Sequence, residues 1–123
     1  PKVDDEATIL LKYPKAQGVI QASWNWPFSR KDMQVYGKTG YVFADNSTDI
    51  RIRLEGDKKE KTEKLKRRTA PENDPFSYLA AMINGTITPQ PYDLSSLENN
   101  MIVMQILDAA IRSAVEKRTV ELR

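Results

Sequence analysis

Hydrophobic spacing changes period once along this sequence, at Asn73-Asp74-Pro75, and that change limits the folds open to it. Upstream, apolar residues come in short alternating runs separated by proline, glycine and polar turns, the signature of half-buried strands. Ala7–Tyr13 is rich in β-formers and ends at Pro14, which has no N–H for a ladder. Gly18–Trp26 resumes the extended pattern, so the two runs predict a hairpin. Met33–Gly37 and Tyr41–Ala44 flank Lys38-Thr39-Gly40 and predict a second, with Gly37 and Gly40 available for positive φ. Asp49–Leu54 alternates strictly, with Ile50, Ile52 and Leu54 on one side and Arg51 and Arg53 on the other. After a polar turn over Gly56–Thr62, Glu63–Thr69 is expected to return as a charged edge strand.

Downstream the spacing is helical. Asp74 is placed to cap and Pro75 suits a first helical position, with Phe76, Leu79, Ala80 and Ile83 on one face and Gly85 as a stop. Ser95 and Glu98 have the separation of a capping box, which starts a helix running to about Lys117. Leu97, Met101, Met104, Leu107, Ile111 and Ala114 form its expected buried stripe. A second apolar set, Val103, Ile106, Ala110 and Val115, predicts a helix covered on two sides, with part of that set exposed here. Thr119–Leu122 is expected to add a short last strand.

Strands first and helices after predict an α+β fold, an open and mainly antiparallel sheet with helices on one face. At 123 residues the chain is expected to be one domain, 1–123. Its first strand carries Ile9, Leu11 and Tyr13 on one side and Thr8, Leu10 and Lys12 on the other, so neither face is wholly polar. A partner subunit, a second copy packed on the open sheet face, is the simplest cover.

Several chemistries are excluded outright. With no cysteine and no histidine the chain has no disulfide, thiolate or imidazole metal site, cysteine nucleophile or histidine triad. Glycines at 18, 37, 40, 56 and 85 never approach a phosphate-cradling spacing, so no bound cofactor is expected here. Asp4-Asp5-Glu6 is one local run, whereas a hard-cation site needs oxygens from several elements. No apolar run is long enough to span a membrane, and no signal peptide opens the chain. The compartment cannot be read here, with a cytoplasmic location favoured, because a chain that opens on Pro1 reads as cut from a longer protein, whose export signal would lie upstream.

Charge is uneven. Arg51 to Arg68 holds nine basic and four acidic residues, within a net charge of +2 for the whole chain. Nucleic-acid modules add stacking aromatics to such charge, yet none lies between Phe43 and Phe76. No nucleic-acid partner is expected. A stand-alone module using the basic hairpin 51–68 on an acidic partner is the alternative function.

Ser23-Trp24-Asn25-Trp26-Pro27-Phe28-Ser29-Arg30 gathers three aromatics, an amide and a guanidinium at the end of a predicted strand. Alternation would set Trp24 and Trp26 on the same side. Such a platform suits a sugar-like ligand, and it equally suits packing at a sheet or subunit contact. Both readings stand at this point.

The order ATILLKYP, SWNWPFSRKDMQVYGKTGYV, DPFSYL and DLSSLENNMIVMQILDAAIRSAVEKRTVEL resembles the C-terminal domain of the glucose-fructose oxidoreductase, inositol dehydrogenase and MocA (Gfo/Idh/MocA) family. The likeness covers nearly the whole chain and is weakest over Gly56–Pro71. It implies a parent NAD(P)-dependent oxidoreductase, or dehydrogenase, acting on a sugar, polyol or related hydroxy compound. In such enzymes a Rossmann domain holds NAD or NADP through a glycine fingerprint and supplies the lysine of a Glu-Lys-Pro motif. An early helix of the second domain supplies Asp and His. None of these maps onto this chain, so the resemblance implies a fragment inactive alone, with no catalytic, cofactor or metal residue of its own. The family's sheet borders the substrate cleft and pairs subunits. The segment like Trp24 to Arg30 contributes to the substrate pocket, which makes Trp24, Trp26 and Arg30 the substrate-proximal candidates.

Overall fold

A computed structural model describes residues 4–91 and 93–122. Its elements run β1 (Glu6–Lys12), β2 (Gln17–Ser23), β3 (Met33–Gly37), β4 (Gly40–Ala44), β5 (Asp49–Leu54), β6 (Lys61–Lys64), α1 (Pro75–Ile83) and α2 (Leu97–Glu116). Strands β1 and β2 pair as one sheet, and β3-β4-β5-β6 form a second in chain order. The architecture is α+β with open antiparallel sheets, as the change of period predicts, and the strands divide between two sheets. The chain gathers into two compact units, one of Pro1–Glu6 with Ala22–Tyr78 and one of Ala7–Gln21 with Leu79–Arg123. No helix is long and apolar enough to cross a membrane among the described residues.

The larger sheet is a meander whose turns are set by side chains and glycine. Gly37 pairs with Gly40 around Lys38-Thr39. Among the described residues only Lys117 has positive φ without being glycine, so the unusual angle at this turn falls on Gly40, at φ 153°. Asn46 shapes the next connection: its Oδ1 accepts from the N–H groups of Thr48 and Asp49, both at 2.9 Å. At the third, the Asp57 carboxylate accepts from Leu54 N–H at 3.0 Å, and Asp57 N–H donates to Leu54 C=O. β6 is shorter than expected, ending at Lys64, while Leu65 N–H donates to Thr48 C=O at 2.7 Å.

Register sorts the sheet into two unlike faces. Val35 opposes Val42, which opposes Ile52, and Met33, Ala44 and Ile50 make the neighbouring row. Period-2 alternation puts these on one apolar face and Tyr36, Tyr41, Phe43, Arg51 and Arg53 on the other.

In β1, Ile9 and Leu11 are half-buried and Leu10 is exposed, the division that alternation predicts. Tyr13 N–H donates to Ala16 C=O at 2.9 Å across the turn that Pro14 opens. β2 stops at Ser23 instead of continuing to Trp26. The reason is local: Ser23 Oγ accepts from Asn25 N–H at 3.0 Å, an alternative to the ladder that turns the chain.

Helix α1 begins as expected. The Asp74 carboxylate accepts from Ser77 N–H at 2.8 Å, and Gly85 takes φ 68° beyond the last turn. Helix α2 is capped one residue later than predicted, since Ser96 Oγ accepts from Asn99 N–H at 3.1 Å. Ser95 is instead held upstream, its N–H donating to Asp93 at 2.8 Å. Lys117 closes α2 in the left-handed region, and its N–H donates to Ser113 C=O. Residues 119–122 are irregular and not a strand.

The expected burial of α2 is reversed. Its most buried residue is Ala109, 8% exposed and the chain's only buried apolar residue among those described, with Asn99, Ile106, Ala110 and Ser113 half-buried near it. Leu97, Met101, Met104, Leu107, Ile111 and Ala114, expected inside, are exposed. Val103 is exposed too, in keeping with the partial exposure predicted for its set. The Ala109–Ser113 side is therefore the less exposed one, and the larger side chains face out.

The surface area states the same result in bulk. Two independent domains of half this length each would together expose roughly 8,000 Å². This chain exposes 11,625 Å², an excess that holds however the two units are arranged.

Candidate functional site

The segment after β2 gathers polar groups by its turn. Trp24 N–H donates to Asp5 C=O at 2.8 Å, and the Asn25 amide donates to the Asp5 carboxylate at 3.2 Å and to Glu6 at 3.4 Å. Ser23 Oγ donates to Glu6 at 3.2 Å. The strand has already ended, so alternation no longer relates the two tryptophans. Trp24 stands 87% exposed, whereas Trp26 is 36% exposed beneath the Arg30 guanidinium, whose carbon lies 5.1 Å from the ring centroid.

Asp32 fixes that guanidinium. Arg30 Nε donates to one carboxylate oxygen at 2.5 Å and Nη2 to the other at 3.1 Å, a two-point grip that sets the plane of the group. These hydrogen bonds hold the Asp32 carboxyl below its ordinary range and push the guanidinium the other way. The structure therefore brings Trp26 and Arg30 together and leaves Trp24 exposed, as it does Phe28. A flat ring with a fixed cation over it offers aromatic surface for a sugar's C–H face and N–H donors for its hydroxyls.

A second cluster lies on the polar face of the larger sheet. Tyr41 and Phe43 stack with centroids 4.5 Å apart, and Tyr36 meets Phe43 edge-on at 5.3 Å. Arg51 lies over the Phe43 ring at 4.9 Å. It donates to Asp45 at 2.6 and 2.8 Å, and reaches Glu60 at 3.4 Å. The Tyr41 hydroxyl donates to Glu60 at 2.9 Å, and that bond raises the phenol above its ordinary pKa. Arg51 in turn holds the Asp45 carboxyl low.

Reading along the chain missed this cluster, because its aromatics lie in one hairpin and its arginines in the next strand. The signal was present: Tyr41 and Phe43 are two apart, as are Arg51 and Arg53, and an antiparallel turn between them makes the pairs meet.

The basic stretch 51–68 is partly neutralised from within. Arg51 is shared by two carboxylates, and Lys61 pairs with Asp57 at 2.8 Å. Hydrogen bonding to Lys61, with the backbone bond from Leu54, keeps the Asp57 carboxyl low. Among the described residues no group of three or more acidic side chains is placed to hold a metal ion.

Compared with protein-family models, with curated proteins and with solved structures, this chain finds no match in any of the three.

Proposed function

We propose that this chain is the substrate-side and assembly domain of an NAD(P)-dependent oxidoreductase acting on a sugar, a polyol or a related hydroxy compound. In this reading Trp24, Trp26 and Arg30 line part of the substrate cleft, and sheet surface pairs subunits into a homo-oligomer. Hydride transfer and proton transfer belong to groups outside these residues. The Trp26–Arg30–Asp32 arrangement is the observation that carries the proposal: an aromatic ring with an oriented, doubly held cation over it suits a hydroxylated ligand. The surface area supports it, because so much open apolar surface suits a domain that is finished by its neighbours.

The test uses the gene product that contains this chain. Titration with NAD and NADP should give saturable binding, and a panel of polyols should drive nicotinamide reduction. Trp26→Ala and Arg30→Ala should raise KM for the polyol and leave cofactor affinity unchanged. The isolated chain should bind neither nucleotide. A gene product that binds no nicotinamide cofactor, or variants whose KM stays at the wild-type value, would refute the reading.

A further inference from the structure

Helix α2 carries a seam that its own chain leaves uncovered. Leu97, Met101, Met104, Asp108, Ile111 and Val115 follow one another at spacings of four and three, the d and a positions of a heptad. The five apolar members are all exposed, from 53% at Met101 to 77% at Val115. On the opposite side, Asn99, Ile106 and Ser113 occupy f positions and are half-buried, flanked by buried Ala109. The f side is thus the less exposed one, and the a/d seam faces outward together with Ile102, Val103 and Leu107.

We propose that this seam pairs with the same seam of a second copy of the chain, antiparallel, about a two-fold axis near residue 106. Three features point to that occupant and that direction. In the antiparallel pair each a position meets a partner d position, which matches Leu97 with Val115, Met101 with Ile111 and Met104 with Asp108. A parallel pair would set Asp108 against Asp108 in one layer, a like-charge contact. The e positions give the second argument. Glu98, Gln105 and Arg112 lie there, and antiparallel pairing brings Glu98 beside Arg112 at both ends and Gln105 beside Gln105 at the axis. Parallel pairing sets e against g, so Arg112 would meet Leu107 and Glu98 would have no cation. Third, Arg112 is loosely held within its own helix, 4.0 Å from Asp108 and 3.8 Å from Glu116, so it can turn to a partner's carboxylate at little cost. The g positions, Asn100, Leu107 and Ala114, carry no charge to oppose the fit. Such a self-complementary contact closes as a dimer. It is separate from the sheet contact of the proposed function and does not depend on it.

The chain contains no cysteine, which makes disulfide mapping clean. Leu97→Cys and Val115→Cys are made separately in the full chain, then oxidised alone and as a mixture. The expected result is a mixed 97–115 disulfide well above the twofold excess over either homodisulfide that random pairing of an equal mixture gives. Homodisulfides in excess would overturn the antiparallel arrangement. Absence of cross-linking, with a single-chain mass in sedimentation at ~100 μM, would overturn the pairing itself. Asp108→Leu provides a second reading that does not rely on cysteine. Removing the lone polar group of the seam should tighten dimerisation at least about tenfold, and unchanged or weaker association would count against the proposal.

Discussion

Replacing Gly40 by alanine should open the larger sheet, and the size of the effect follows from what the new methyl would meet. A Cβ at this position would lie 2.3 Å from the Arg53 carbonyl oxygen and 2.9 Å from the Leu54 Cα, both backbone atoms of β5. Neither can move without breaking the β4–β5 ladder, where Gly40 opposes Leu54 and Tyr41 opposes Arg53. The φ of 153° adds conformational strain for an L residue. Strain of this kind costs ~1–3 kcal/mol and overpacking a similar amount, so the pair should reach ~2–5 kcal/mol. Gly37 is the internal control. It pairs with Gly40 across the same turn, but a Cβ there would meet only the Gly40 oxygen at 3.5 Å, an ordinary contact. Gly37→Ala should therefore shift stability by less than ~1 kcal/mol. Amide hydrogen exchange of β4 and β5 reads local opening directly. Gly40→Ala should accelerate it at least about thirtyfold, with Gly37→Ala near wild type. Equal effects from the two substitutions, or protection retained in Gly40→Ala, would refute the steric argument.

Three further outcomes are expected. Ser96→Ala should cost about 1 kcal/mol of α2 stability, seen as faster exchange at Asn99, while Ser95→Ala should leave that amide unchanged. Lys117→Gly should stabilise the end of α2 by roughly 1 kcal/mol, because Lys117 sits at φ 52° and glycine carries no Cβ penalty there; a loss of helicity by circular dichroism would contradict it. The carboxyls of Asp45, Asp57 and Asp74 are each held low, first by hydrogen bonds from Arg51, Lys61 and Ser77 respectively. A depressed carboxyl adds stability that is complete above its unfolded value near ~4 and is lost as pH falls through the lower folded value. Carbon-detected NMR titration should place all three midpoints below those of exposed aspartates, and Asp45→Asn should remove the Asp45 share of the acid sensitivity.

What could be read along the chain was whatever the backbone decides within a few residues. Pro14 closes β1, Asp74 and Pro75 open α1, and Gly85 ends it, because each acts on its own φ or on an N–H within one turn. The misreadings are local competitions. Ser95 and Ser96 could both cap α2, and Asp93 decides between them by taking the Ser95 N–H. Ser23 could have continued a strand and instead accepts from Asn25. Of the two clusters, Trp26 and Arg30 were legible because four residues separate them. The Tyr36–Arg51 face needed strand register, which no single window contains.

Which face of α2 would be inside was a different kind of question. Periodicity identifies residues that share a side of a helix, and both of its apolar sets were visible that way. It does not rank them, because burial depends on what lies opposite. Bulk suggested that the side with Met101, Met104 and Ile111 should win, since larger side chains gain more from leaving water. The structure shows otherwise: Ala109, Ala110 and Ser113 are on the less exposed side, where the Ser113 hydroxyl donates to Arg118 C=O at 2.7 Å as the chain leaves the helix. Within the larger exposed surface, which also holds Ile102, Val103 and Leu107, the seam residues keep the two-in-seven spacing that suits a second helix. The regularity of the exposed seam thus argues for what should meet it, where its apolar character alone argues only that something should.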